Sequence, residues 1–102
     1  MTPDPDIRDN AEARRYELTV EGQTAVVIYN PVAGGLLITE TIVPIPLEGR
    51  GLASRMARHV LADIKARGLV ILPTCPFFAG YLQKHPEWAE IVHPSYRTAL
   101  GL

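Results

Sequence analysis

The chain reads as strands up to residue 43, with a period of two clearest in Arg15–Val20, and its apolar residues recur at every 3.6 positions after residue 51, the change falling on Gly49-Arg50-Gly51. A chain that switches period there must build sheet first and helix second. Arg15–Val20 alternates, with Tyr16, Leu18 and Val20 on one face and Arg15, Glu17 and Thr19 on the other, the pattern of a half-buried strand. Glu21-Gly22 signals a turn, and Thr24–Tyr29 is rich in β-branched residues, so the two runs form a hairpin. Asn30-Pro31 and Gly34-Gly35 mark the next reversal. A third strand runs from Leu36 to about Val43, where Pro44 and Pro46 stop it.

Beyond the tripeptide, Leu52, Met56, Val60 and Ile64 recur at steps of four with Ala53, Ala57 and Leu61 beside them. That is an amphipathic helix over Gly51–Arg67, closed by Gly68. Leu69–Leu72 is a short, wholly apolar run suited to a strand buried in a parallel pair. Third strand, helix and this run make a βαβ crossover, for which right-handedness is the strong rule. Phe78–Lys84 reads as a short helix ended by His85-Pro86, and residues 87–92 fit either a helical turn or a strand. Residues 1–13 lack apolar periodicity and read as a loose arm. The expectation is one α+β domain over residues 1–102: a mixed sheet with an antiparallel N-terminal meander, the crossover, and a short C-terminal helix.

At 102 residues the chain has room for one core, and 47% hydrophobic with 21% charged residues is globular composition. A net charge of −1 provides no field toward DNA, RNA or anionic membrane, so neither nucleic acid nor membrane is an expected partner. The single cysteine, Cys75, excludes an intramolecular disulfide and a CxxC zinc site, and no metal is expected. The acidic, proline-rich start Met1-Thr2-Pro3-Asp4-Pro5-Asp6 is unlike a signal peptide, and the apolar runs fall short of the ~20 residues of a membrane helix. These features lead to the expectation of a cytoplasmic protein.

Gly49 and Gly51 let the backbone turn sharply between strand and helix. The N–H groups of Arg50, Gly51, Leu52, Ala53 and Ser54 then lie at the first turn of a helix, where donors are orphaned and the dipole is positive. Such a terminus accepts a pyrophosphate. Arg50 adds a charge and Ser54 a hydroxyl. No GxxxxGK[ST] is present, and Ser54 stands where a dinucleotide fold has its third glycine. The same glycine pair also serves a plain strand-to-helix turn.

Glu48-Gly49-Arg50-Gly51-Leu52-Ala53 resembles the acetyl-CoA motif of the GNAT superfamily of N-acetyltransferases, Q/R-x-x-G-x-G/A. The likeness extends back through Thr41-Ile42-Val43-Pro44 and the Asp9-Asn10 and Arg15-Tyr16-Glu17-Leu18 stretches. It extends forward through Leu72-Pro73-Thr74-Cys75-Pro76-Phe77 and Tyr81-Leu82-Gln83-Lys84-His85-Pro86-Glu87-Trp88. The whole is similar to the small single-domain members of about a hundred residues. Two departures stand out. Glu48 occupies the usual Gln or Arg position. Glu40-Thr41-Ile42-Val43-Pro44 replaces the small group's His-Thr-Glu-Val-Pro, so a histidine and a carboxylate are missing. The resemblance implies acetyl-CoA, or coenzyme A, in a wedge between the third strand and the strand at 69–72. It implies a pantetheine arm along the backbone of Ile42 and Val43, and a pyrophosphate on residues 50–54.

Acetyl transfer to an amine needs a free amine, a polarised thioester and a proton for the departing thiolate. Cys75 follows the apolar strand at its C-terminal end. It is a candidate nucleophile, a thiol lining the acetyl pocket, or a small buried hydrophobe. The resemblance gives Tyr81 the role of general acid; otherwise it is a core aromatic. His85, four residues on, is a candidate base or a helix stop. Glu40 is a candidate proton relay or a solvated strand residue. Arg55, Arg58, His59 and Arg67 form a solvated helix face interrupted by Asp63, or in some measure a contact for the 3′-phosphate of coenzyme A. The leading reading is N-acetyl transfer to a small-molecule or protein amine, and the alternative is a coenzyme A binding module without appreciable turnover. So short a chain has little surface for an acceptor pocket, which leaves a partner or a homodimer to complete it.

Overall fold

Five strands form one mixed sheet in the computed structural model of the protein, which describes residues 4–102. The strands β1 (Ile7–Asn10), β2 (Arg15–Val20), β3 (Gln23–Val32), β4 (Gly35–Ile42) and β5 (Val70–Pro73) lie side by side in sequence order. The first three junctions are antiparallel and β4–β5 is parallel. Between β4 and β5 run a 3₁₀ turn (Ile45–Leu47) and the long helix α1 (Leu52–Ala66). After β5 come α2 (Pro76–Lys84), a second 3₁₀ segment (Pro86–Ile91) and α3 (Pro94–Leu100). Strands first and then helices, with one crossover, make the α+β class the sequence leads one to expect. Among the described residues no helix is long and apolar enough to cross a membrane.

One face of the sheet makes the core. Tyr16 and Leu18 of β2, Ala25, Val27 and Tyr29 of β3, Leu36 and Ile38 of β4, and Ile71 of β5 are buried beneath Met56, Ala57, Val60, Leu61 and Ile64 of α1. Each large apolar side chain so buried contributes about 1.5–3 kcal/mol. Phe78 and Leu82 of α2, with Trp88, Ile91 and Val92, join the same cluster. The α1 crossover sits tightly because Gly35 has no side chain: a Cβ there would come within 2.7 Å of the Val70 carbonyl.

Two polar clusters tie the sheet to its surroundings. The Tyr16 hydroxyl donates to Asp63 of α1 at 2.5 Å, the Tyr29 hydroxyl donates to Asp9 of β1 at 2.5 Å, and Arg67 lies 3.3 Å from Asp63 and 3.7 Å from Asp9. Burial, reinforced by the hydrogen bond to Asp63, pushes the Tyr16 hydroxyl well above the usual phenol range. On the other face, Glu17 accepts from Arg8 at 2.6 Å, Arg15 at 2.6 Å and Asn10 at 3.1 Å.

The structure departs from the sequence reading in two places, β1 and α3, and decides an open one at 87–92. Ile7–Asn10, expected within a loose arm, is the edge strand β1, with Ile7 buried opposite Leu18. A single apolar residue among Arg8, Asp9 and Asn10 gives no periodicity, so the strand depends on its pairing with β2. Residues 1–3 of that arm lie outside the described residues. The segment 87–92 satisfies both readings: Pro86–Ile91 is 3₁₀, and Val92 then bridges Ile71 in parallel at the free edge of β5. Helix α3 has no apolar period to announce it. Its signals are Pro94 at the first helical position and His93, whose ring nitrogen accepts from the Ser95 N–H.

The three donors on Glu17 hold its carboxyl down at about 2. Its unfolded value is higher, so its stabilisation is fully present above about pH 4.5 and is lost as pH falls from there toward 2. Acid unfolding of the wild type should show a loss on the order of 2 kcal/mol across that window. Glu17→Gln, compared by denaturant titration at pH 7 and pH 3, should flatten the dependence.

Candidate functional site

The site begins at an irregularity in β4. The register shifts between Ile28 and Tyr29, which face Glu40 and Ile38 and leave Thr39 as an extra residue. The Thr39 hydroxyl donates to the Ile28 carbonyl at 3.2 Å. A bulge bends its strand and increases the local twist. On the other side of β4, pairing with β5 ends at Ile38↔Pro73. There the Ile38 carbonyl accepts three hydrogen bonds, from the N–H groups of Thr74 (3.1 Å) and Cys75 (3.0 Å) and from the Thr74 hydroxyl (2.8 Å). β5 thus turns away into α2 while β4 continues through Ile42 paired only with β3. A wedge opens between them.

The start of α1 forms the floor of this opening. Gly51 is the N-cap, with φ 75° and ψ 15°, a left-handed conformation that side chains resist. Its carbonyl accepts from Arg55 N–H at 3.1 Å, and no side chain caps the preceding donors. The N–H groups of Leu52, Ala53 and Ser54 are therefore the orphans of the first turn, in the positive end of a fifteen-residue helix. A Cβ built on Gly51 meets nothing within 4 Å, so the space above the turn is open.

Two abutting pockets, of about 300 and 310 Å³, form one groove from this turn along α2. The first is walled by Val43, Leu47, Leu52 and Phe77 with Gly49, Gly51, Ala53 and Ser54 at its floor, and Glu48, which the family motif does not expect, also lines it. The second runs from Ser54 and Phe77 past Gly80 to Tyr81, Lys84 and His85. Phe77, Tyr81 and His85 recur at helical steps of four and form an aromatic stripe. The ring centroids of Phe77 and Tyr81 are 6.1 Å apart, and Tyr81 and His85 stack at 4.2 Å.

The structure brings some of the sequence candidates together and leaves others apart. Gly51, Leu52, Ala53, Ser54, Val43, Tyr81 and His85 all line the groove. Arg50 does not; its guanidinium is paired with Glu21 at the β2–β3 turn. Ile42 pairs with Val26 of β3 on the length of β4 that β5 has left; it is 47% exposed and outside the groove lining. Cys75 caps α2 at the wedge, buried, its thiol 3.3 Å from the Thr41 hydroxyl and outside the lining of either pocket. Glu40 is exposed and pairs with Ile28, whose other neighbour is Arg15, which sets it on the sheet face opposite Thr41 and Cys75. His85 Nδ1 stands 3.5 Å from Glu87. Of the helix cations, Arg55 is held by Asp4 at 2.8 Å and by Asp6, and Arg67 by Asp63. The His59 ring accepts from the Asp4 N–H. Among the described residues Arg58 has no ion-pair partner.

Sequence reasoning missed Leu47, Phe77, Gly80 and Lys84 as groove residues. The spacing Phe77-Tyr81-His85 could have revealed Phe77. Nothing in Pro44-Ile45-Pro46-Leu47 tells that Leu47 is buried while Ile45 is 81% exposed. Among the described residues no group of three or more His, Cys, Asp or Glu is placed to hold a metal ion.

The two glycines of the groove should answer differently to alanine. Gly51→Ala forces a left-handed side-chain residue and should cost about 1–2 kcal/mol. Gly80 is interior to α2, and its Cβ position is free of neighbours within 4 Å. Gly80→Ala should stabilise by about 0.5–1 kcal/mol. Thermal melts of both variants check the opposite signs.

A scan of protein families matches residues 15–91 to the GCN5-related N-acetyl-transferase family. No curated protein matches the chain. The matched stretch runs from β2 to the end of the second 3₁₀ segment and holds both the wedge and the groove. The chain belongs to this family of acetyltransferases.

Proposed function

We propose that this acetyltransferase acts as a single domain that takes acetyl-CoA in the groove between α1 and α2 and passes its acetyl group to an amine. The observation that carries this reading is the set of uncapped N–H groups at Leu52, Ala53 and Ser54, facing open space at Gly51 and continuous with an apolar wall. A diphosphate fits the donors, and Val43, Leu47 and Phe77 suit an aliphatic arm. The exposed margin of β4 near Ile42 and Val43 has no strand partner on its β5 side, which leaves backbone groups for the amides of such an arm. Arg50 is already engaged by Glu21, so backbone dipoles rather than a side-chain charge are the principal anion ligands here.

Acetyl-CoA supplies an activated thioester. Transfer forms a bond from the amine nitrogen to the acetyl carbon and breaks the carbon–sulfur bond, which leaves a thiolate in need of a proton. Tyr81 is the donor this reading assigns. Its hydroxyl has no hydrogen-bond partner within the described protein, and its ring forms the groove wall. His85, stacked on that ring and 42% exposed, is the base this reading assigns to the proton that the amine releases. Cys75 packs against Thr41 and, in this reading, shapes the end of the wedge. Glu40, on the other sheet face, takes no part in the transfer.

Burial of Cys75 and the position of Glu40 favour a second reading, a coenzyme A binding module with little turnover. Calorimetric titration with coenzyme A and acetyl-CoA tests the ligand that both readings share: absence of binding at millimolar ligand sinks the two together. Thiol release across a panel of small amines and peptides then separates enzyme from module. For the enzyme, Tyr81→Phe should lower kcat by roughly a hundredfold with little change in coenzyme A affinity. Cys75→Ala should retain turnover through direct transfer; its complete loss would instead point to an acetyl-cysteine route.

A further inference from the structure

The sheet has a second face, and no helix among the described residues packs on it. Helix α1 lies over β2 to β5 on the core face, and α2 packs on α1 and on the same ends of β4 and β5. Register assigns the opposite face to Arg15, Glu17, Val26, Ile28, Leu37, Glu40, Ile42 and Leu72, because directly paired residues point the same way. Val26 is 9% exposed yet stands outside the core cluster. Ile28, Leu37 and Leu72 are half-buried and also outside it, and Ile42 is exposed. A contiguous apolar strip on an uncovered sheet is a surface that association would bury.

The charges beside the strip identify the occupant. Arg15 pairs with Ile28, and Ile28 pairs with Glu40, so one row across the sheet reads Arg15–Ile28–Glu40 with opposite charges one strand to either side of Ile28. Arg15 donates through Nε to Glu17, and its terminal nitrogens have no partner among the described residues. Glu40 has neither a hydrogen bond nor an ion pair among them. Glu17 does not compete for further donors, since Arg8, Asn10 and Arg15 already occupy it. We propose that this face pairs two copies of the chain about a twofold axis that runs along β3 over Ile28. That operation lays Ile28 on its own copy and sets each Arg15 against the other copy's Glu40, twice by symmetry. Facing sheets pack about 10 Å apart, a gap that an arginine and a glutamate side chain span together. The pairing is self-complementary because the row is antisymmetric about its apolar centre. The groove itself opens on the core face, so the two sites use opposite faces of the sheet and meet only at Ile42.

Sedimentation velocity of the full chain, over a range of concentrations at physiological salt, tests this. The expected species has twice the 11.2 kDa chain mass. Glu40→Arg sets like charges against each other and should weaken association at least tenfold, about 1.4 kcal/mol. Arg15→Glu combined with Glu40→Arg should restore it, and Ile28→Glu, which acts through the apolar centre, should abolish it. Circular dichroism melts confirm that each variant is folded. A wild type that is monomeric at every concentration overturns the proposal and leaves the face to another protein. So do folded Glu40→Arg and Ile28→Glu proteins that dimerise like the wild type, or a double variant that stays dissociated.

Discussion

The carbonyl of Ile38 is the point on which the rest of the site depends. Three donors converge on it from Thr74 and Cys75, and they end the parallel pairing of β4 with β5 at a fixed residue. On the other side of the same strand the bulge at Thr39 bends β4 away. Neither device alone would hold an opening in a sheet, because unpaired strands close up to satisfy their backbone groups. Together they fix both the place and the direction of the opening. The wedge is a product of backbone hydrogen bonding, and the side chains that line it are secondary.

The electrostatics of the groove follow the same logic. Its positive character comes from the end of α1, where three N–H groups have no partner in the described protein, and not from an excess of basic residues. Arg50 and Arg55, the nearest guanidinium groups in sequence, are bound to Glu21, Asp4 and Asp6. A site built from fixed dipoles is pre-organised: the donors point the same way before and after a ligand arrives. Opposite them, the stripe Phe77-Tyr81-His85 gives the groove an apolar and aromatic wall. Gly80 keeps that wall set back and gives up helix stability to do so.

Four ionisable residues line the groove, Glu48 just ahead of α1 and Tyr81, Lys84 and His85 along α2, and these bound the chemistry available. Tyr81 and His85 stack at its far end, while the Cys75 thiol faces Thr41 in the closed end of the wedge. At the other end of α1, the Tyr16–Asp63 hydrogen bond anchors the helix to β2, and Arg67 ties it to Asp9 of β1, which also accepts from Tyr29 of β3. Its last turn is thus held while its first turn remains open. The same sheet serves two purposes, with its core face supporting the groove and its other face offering the antisymmetric row of Arg15, Ile28 and Glu40.

The central elements were already legible in the residue pattern. Alternation marks β2, a run rich in β-branched residues marks β3, the steps of four from Leu52 to Ile64 mark α1, and Gly49-Arg50-Gly51 locates the exposed helix start between sheet and helix. These signals are local: each depends on a period or a backbone preference contained within a few residues. Folding decided the rest. Ile7–Asn10 is a strand only because its single apolar side chain gains burial by pairing with β2. The placing of Glu40 on the far face and of Cys75 behind the groove likewise needed the assembled sheet. A bulge of one residue at Thr39 resets the alternation of β4, and no composition rule locates such a slip. Side-chain placement beyond that point rests on hydrogen bonds between residues more than thirty positions apart, Ile38 with Thr74 and Thr41 with Cys75. Local patterns encode elements; the contacts that hold β4 and β5 apart are long-range and become legible only once the chain has folded.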